Sequence, residues 1–169
     1  DLVRSRGLGD VYKRQITYNC PLCNSTASLF CDKPKHLFYK CKICDGIFRP
    51  KHTFLTADAE KEHYEKHNND VFDERYQAFV LPIVEAVLHD FSSEAKGLDF
   101  GSGTGPVIAK MLIDKGYQVQ NYDLFFANEP SLLNEKYDYV SCCEVMEHFH
   151  QPYKAVSYTH LRAHETVLD

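Results

Sequence analysis

Four cysteines fall in two pairs, Cys20-Pro-Leu-Cys23 and Cys41-Lys-Ile-Cys44, separated by 17 residues. Two Cys-x-x-Cys turns at this separation can present four thiolates tetrahedrally to one Zn²⁺, and four thiolates leave no open position for catalysis. The expected role of the metal is therefore structural. Pro21 suits the first turn, and Asp45-Gly46 lets the chain double back after the second. Further along, a short apolar run ends in an acid and breaks into alternating glycines, Leu98-Asp99-Phe100-Gly101-Ser102-Gly103-Thr104-Gly105. Glycine at every second position permits positive φ and lets a ligand approach main-chain N–H groups. The loop reads as a nucleotide cradle. A third cluster, Glu144-Val145-Met146-Glu147-His148, carries two carboxylates and an imidazole. At i, i+3 and i+4 of a first helical turn these three would share a face and could hold a hard divalent cation such as Mg²⁺. The other reading has the glutamates favouring a helix N-terminus while His148 bonds locally, and it is the preferred one. His148 is the first choice for a general base, because an unperturbed imidazole titrates at about 6.5.

These groups need elements to position them. Ser28–Phe30 and Leu37–Lys40 read as short strands between the cysteine pairs, and Cys31 as a small buried hydrophobe. Ala57–His67 is rich in helix formers, and Asn68-Asn69-Asp70 is a stop and restart with Asp70 as a candidate N-cap. From Val71 to Phe91 apolar residues recur at Phe72, Tyr76, Phe79, Val80, Ile83, Val84, Val87 and Leu88, a helical stripe with a kink expected at Pro82. His63 and His67 share a helix face and, with His52, raise the question of a second metal site. Without a Glu-rich zincin context they are expected instead to line the entrance of the neighbouring pocket. Gly97–Phe100 reads as a buried parallel strand, Pro106–Gly116 as a helix with proline in its first turn and glycine at C′, and Tyr117–Asp123 as a second strand ending in an acid. Strand, glycine loop, helix, strand and acid form a nucleoside-binding βαβ unit in which the acid can accept hydrogen bonds from two ribose hydroxyls.

A dinucleotide fingerprint would need its third glycine at Pro106, so that match fails. Asp99-Phe-Gly101-Ser-Gly103-Thr-Gly105 resembles instead motif I of class I S-adenosylmethionine-dependent methyltransferases, and Asp123 matches the family's acid after the second strand. An acid beside this cofactor's ammonium group is favourable, where it would repel a phosphate. Tyr137–Phe149 is similar to the family's fourth strand and the segment after it, in the Glu-Val-Leu-Glu-His form of ubiquinone-type O-methyltransferases. In some relatives, including small-RNA 2′-O-methyltransferases, Glu-x-x-Glu-His supplies metal ligands. The resemblance covers Cys20 to about Ala155. It implies an α/β fold, a partial Rossmann-like parallel sheet preceded by a four-cysteine zinc ribbon and a helical connector. It places Asp99, Gly101, Ser102, Gly103, Gly105, Asp123, Leu124 and Glu144 around S-adenosylmethionine, with His148, Glu144 and Glu147 as catalytic residues. The implied reaction is direct displacement of the sulfonium methyl by a small-molecule or modified-nucleoside acceptor. Two departures stand out. Only 14 residues separate Asp123 from Asp138, too few for the usual helix and third strand, and the family's strands five to seven would be absent if the chain ended near residue 155. Phe125-Phe126 and Ser131-Leu-Leu-Asn would replace the missing link in shortened form, with a phenylalanine over the adenine. A chain so shortened is expected to have impaired activity.

Composition sets the frame. The 169 residues include 11 Phe and 11 Tyr and carry a formal charge of −5, which divides unevenly. Residues 1–50 hold 9 Lys/Arg against 4 Asp/Glu, and the remainder 10 against 20. The basic part reads as a separate module. Lys33, Lys35, Lys40 and Lys42 could touch nucleic acid, though a solvated face is the simpler expectation. Seven cysteines, an odd number, argue for a metal site over a disulfide framework. No apolar stretch is long enough to span a bilayer and no signal peptide is evident, so a cytoplasmic protein is expected. Asp1–Gln15 and Val156–Asp169 resemble translated sequencing-adapter read-through, which implies a native chain continuing beyond Ala155. The expected organisation is therefore a non-native tail over 1–15, a zinc ribbon over 16–50, a helical connector over 51–92, the first part of a methyltransferase domain over 93–155 and a second tail over 156–169. The competing function is a zinc-ribbon module that binds RNA or protein and carries a degenerate cofactor fold.

Overall fold

A strand-rich stretch between paired cysteines and a βαβ pattern further on call for two different kinds of sheet, and the computed structural model has both. It describes residues 17–33, 36–66 and 69–153. Lys35, His67, Asn68 and both adapter-like segments lie outside the described residues. The chain divides between Phe54 and Leu55 into two compact units, the second running to Phe149.

The first unit is a four-stranded antiparallel sheet of β1 (Tyr18–Asn19), β2 (Thr26–Lys33), β3 (His36–Cys41) and β4 (Ile47–Phe48), in that order. β2 and β3 extend beyond the two short strands expected from sequence, and their register shifts between Leu29 and Cys31. Cys20, Ala27, Tyr39, Cys41 and Pro50 are its buried residues. Tyr18 packs edge-on against Tyr39, with ring centroids 4.5 Å apart. So small a core is insufficient by itself, since units below about 40 residues usually need a metal or disulfides.

In the second unit, Thr56 caps α1 (Ala57–Glu65) by accepting from the Ala59 N–H at 3.3 Å. The next helix, α2 (Glu74–Asp90), starts later than the sequence implies. Asp70 is not its cap, because its side chain accepts from the Phe72 N–H and its carbonyl from the Asp73 N–H, closing a separate turn. Asp73 caps α2 through the Arg75 N–H at 2.9 Å. Pro82 lies within α2, which runs on unbroken past it. Val80, Val84 and Val87 of the expected stripe are buried, whereas Phe72 and Phe79 are exposed. The Lys110 ammonium lies over the Phe72 ring.

β5 (Lys96–Phe100), α3 (Val107–Ile113), β6 (Gln118–Tyr122) and β7 (Tyr139–Ser141) follow. The three strands are parallel in the order β6-β5-β7. α3 begins after Pro106 and closes with Gly116 at φ +87°, the N–H groups of Gly116 and Tyr117 returning to the Ile113 and Leu112 carbonyls. Val107, Ile108 and Leu112 of α3 pack with the three valines of α2 and with Tyr139 to form the core. Between β6 and β7 the described chain makes one 3₁₀ turn, Pro130–Asn134, so this link does indeed lack the usual helix and third strand. The chain leaves β5 to one side for β6 and then crosses to the other side for β7. In open parallel sheets such a reversal of strand order marks the crevice where ligands bind, at the carboxyl ends of the strands. No described helix is long and apolar enough to cross a membrane.

Candidate functional site

The loop after β5 is held by its own backbone. The Gly101 and Ser102 N–H groups donate to the Tyr122 carbonyl at 2.7 and 3.2 Å, and the Gly103 N–H donates to Asp123 Oδ2 at 2.9 Å. Three successive loop amides are thus engaged within the protein, unlike a phosphate cradle, where they point at the ligand. The glycines also divide in role. A Cβ on Gly101 would lie 2.4 Å from Val145, and one on Gly105 would lie 1.9 Å from the Asn69 carbonyl oxygen. At Gly103 (φ +63°) the nearest neighbour would be Asn69 Nδ2, at 3.6 Å. Close protein packing therefore demands glycine at 101 and 105, and Gly103 alone of the three leaves room for a ligand.

Asp123 stands where the sequence puts it, past the end of β6. Its Oδ1 accepts from the Phe125 and Phe126 N–H groups at 2.8 and 3.1 Å, and its Oδ2 from Gly103. The acid expected to meet ribose ties the β6 turn to the glycine loop. Oδ2 keeps lone-pair capacity for a further donor. Leu124 is exposed beside it.

Asp99 is 4% exposed. Ser141, opposite it in the β5–β7 register, donates its hydroxyl to Asp99 Oδ1 at 2.8 Å. Burial pushes the Asp99 carboxyl above its ordinary range, against the opposing pull of the Ser141 hydroxyl and the Ala109 N–H. The native state therefore holds this proton to higher pH than the unfolded chain does. Across that interval the native state binds more protons, so stability falls as pH rises from the ordinary aspartate value of about 3.9 through the raised native one. In thermal melts, the Tm of Asp99→Asn relative to wild type is expected to climb through this interval and then level off. A difference independent of pH would refute the assignment.

The third cluster departs from expectation. Glu144 adopts φ +53° and lies outside any helix, and Met146–His148 is a short 3₁₀ turn. Glu144, Glu147 and His148 therefore do not form the i, i+3, i+4 face of an α-helix, nor do the glutamates sit at an α-helix N-terminus. His148 Nε2 lies 3.8 Å from Glu147 Oε1, both side chains about half exposed. Sequence reasoning missed Asn69 and Val145, which bracket the glycines, and Tyr76 of α2. Burial and the neighbouring Cys143, Asp99 and Glu144 raise the Tyr76 hydroxyl. Burial likewise pushes the Cys142 thiol up to about 12, beside Asp99 and Glu147. His63 is exposed, and the adjacent Tyr64 is the residue that reaches the site.

In the first unit, Cys20, Cys23, Cys41 and Cys44 bring their sulfurs within 4.8 Å of one another, and among the described residues no other group of three or more metal-ligating side chains does so. The Cys20–Cys44 and Cys23–Cys41 sulfurs are 3.6 and 3.5 Å apart. A tetrahedral ion with Zn–S bonds of about 2.3 Å requires sulfurs about 3.8 Å apart, so the cage is the right size. The Ser25 hydroxyl and N–H donate to Cys23 and hold its thiol down at about 6. For Cys44 the Gly46 N–H pulls downward, but the other three cysteines outweigh it and push the thiol up to about 12. Lys40 is paired with Asp45 at 3.0 Å, which leaves Lys33 and Lys42 as the exposed cations among the described lysines considered for nucleic acid.

The second unit is thus an α/β domain with a parallel sheet and with Asp123, Glu144 and Glu147 in the turns that follow its outer strands. A family model described as a methyltransferase domain matches residues 72–163, just over half of the chain, and the chain belongs to that family. No curated protein and no solved structure matches it.

Proposed function

We propose that the protein transfers a methyl group from S-adenosylmethionine to a small-molecule or modified-nucleoside acceptor, on a partial Rossmann-like domain preceded by a structural zinc ribbon. The observation that carries the cofactor reading is the closure of the loop amides at 101–103 onto Tyr122 and Asp123. A pyrophosphate would compete for those amides, whereas a nucleoside cofactor without phosphates leaves them in place. Charge agrees. Residues 99–105, 123–126 and 141–149 contain Asp99, Asp123, Glu144 and Glu147 and no Lys or Arg, an environment suited to a cationic ligand.

When bound, S-adenosylmethionine supplies an electrophilic sulfonium methyl for in-line displacement. Gly103 and Asp123 would hold the nucleoside, with Asp123 Oδ2 accepting from a ribose hydroxyl, and the acids at 99 and 144 would favour the positively charged end. His148, half exposed beside Glu147, takes the proton when the acceptor is a hydroxyl, and Glu147 steadies the imidazolium that results. Calorimetric titration of the folded protein with S-adenosylmethionine and S-adenosylhomocysteine tests this reading. Saturable heat with both is expected, and no heat with either would overturn it.

A further inference from the structure

α1 poses a problem of attachment. It has nine residues, none of them buried. Isolated helices shorter than about 12–15 residues are marginal in water, and most helical stability in proteins comes from packing an apolar face. α1 has little such face. Tyr64, in its last turn, is half-buried and makes the contacts that matter. Its ring centroid lies 5.6 Å from that of His148 with the planes at 90°, and 6.2 Å from that of Phe125. Phe125 belongs to the turn after β6 and His148 to the turn after β7, on opposite sides of β5. One ring therefore touches both walls of the crevice. Burial and the nearby carboxylates of Glu60, Glu147 and Asp123 push the Tyr64 hydroxyl up to about 12, so it stays a neutral phenol within reach of Glu60.

We infer that Tyr64 is a positioning residue that clamps the Phe125 and His148 turns together over the bound nucleoside, and that occupancy of the crevice in turn orders α1. The inference rests on the cofactor reading above. Edge-to-face pairs of this kind contribute beyond their buried area. A ligand seated between the two turns gains from walls already held at the right separation, because pre-organisation lowers the ordering cost of binding. The ring performs this task, not the hydroxyl.

The test compares wild type with Tyr64→Phe, Tyr64→Leu and Tyr64→Ala by calorimetry with S-adenosylhomocysteine, together with amide exchange across residues 57–65 with and without that ligand. Tyr64→Phe is expected to bind like wild type. The leucine and alanine variants are expected to bind about tenfold more weakly, or about 1.4 kcal/mol. Ligand is expected to slow exchange in α1 of wild type and the phenylalanine variant only. Leucine keeps apolar bulk without a ring, so the comparison survives if the alanine variant fails to fold. Equal affinity in wild type and Tyr64→Leu, or an α1 whose exchange in wild type ignores the ligand, overturns the clamp and leaves the cofactor reading standing. Wild-type protein that binds no ligand overturns both.

Discussion

Cys41→Ser is expected to remove the metal and the fold of residues 17–50 in one step. Cys41 is 1% exposed, pairs through β3 with Ala27 of β2, and has its sulfur 3.5 Å from that of Cys23. Serine fits the same space but is a poor zinc ligand. With only five buried residues among those described in the unit, a bound metal would have to supply much of the free energy that holds its strands together. Structural zinc contributes on the order of 10 kcal/mol in small domains, so an incomplete cage leaves the sheet without adequate support. Elemental analysis should find stoichiometric zinc in wild type and little in Cys41→Ser, with amide protection across 17–50 lost in the variant. Cys31→Ser is the control, since Cys31 lies outside the cage and should keep both metal and protection. Full protection in metal-free wild type would refute the zinc ribbon.

Asp123→Ala is expected to have the largest effect in the second unit. Its carboxylate receives three backbone N–H groups, two from its own turn and one from the glycine loop. Hydrogen bonds to charged groups are worth about 1.5–3 kcal/mol each, and removing the acceptor leaves all three donors unpaired. The variant also loses the proposed ribose acceptor. Affinity for S-adenosylhomocysteine should fall by about a hundredfold or more, equivalent to about 2.7 kcal/mol, with a lowered Tm. Asp123→Asn, which keeps one oxygen but turns an amino group on a backbone donor, should fall between the two. Wild-type affinity in Asp123→Ala would remove this residue from the site.

Sequence made the β5-loop-α3-β6 unit legible because its signals are local: an apolar run, prolines and glycines that punctuate it, and an acid at a fixed distance. The four cysteines were legible for the same reason. Local pattern failed where one residue served a different partner. Asp70 has the side chain of an N-cap, but it closes a turn onto Phe72, and the helix begins after Asp73. Glu144 has helical spacing to Glu147 and His148, yet its positive φ breaks the turn that would align them. The glycines at 101 and 105 read as openings for a ligand, and they are filled by Val145 and Asn69, residues remote in sequence. Ser141 could have been found by register, since any parallel strand beside β5 must set some residue opposite Asp99. Tyr64 could not, because its contacts cross between elements that share no periodicity.

The acids in the turns after β6 and β7 bear on which way the proposed reaction turns over. Methyl transfer removes the sulfonium charge, so the spent cofactor leaves as a neutral thioether at sulfur. Asp123, Glu144 and Glu147, in turns that carry no Lys or Arg of their own, would attract the charged donor more than the discharged product. In the proposed reaction this difference would favour donor over product, and it would fade with ionic strength. The acids that draw the donor in would thus also bias its exchange once the methyl is gone.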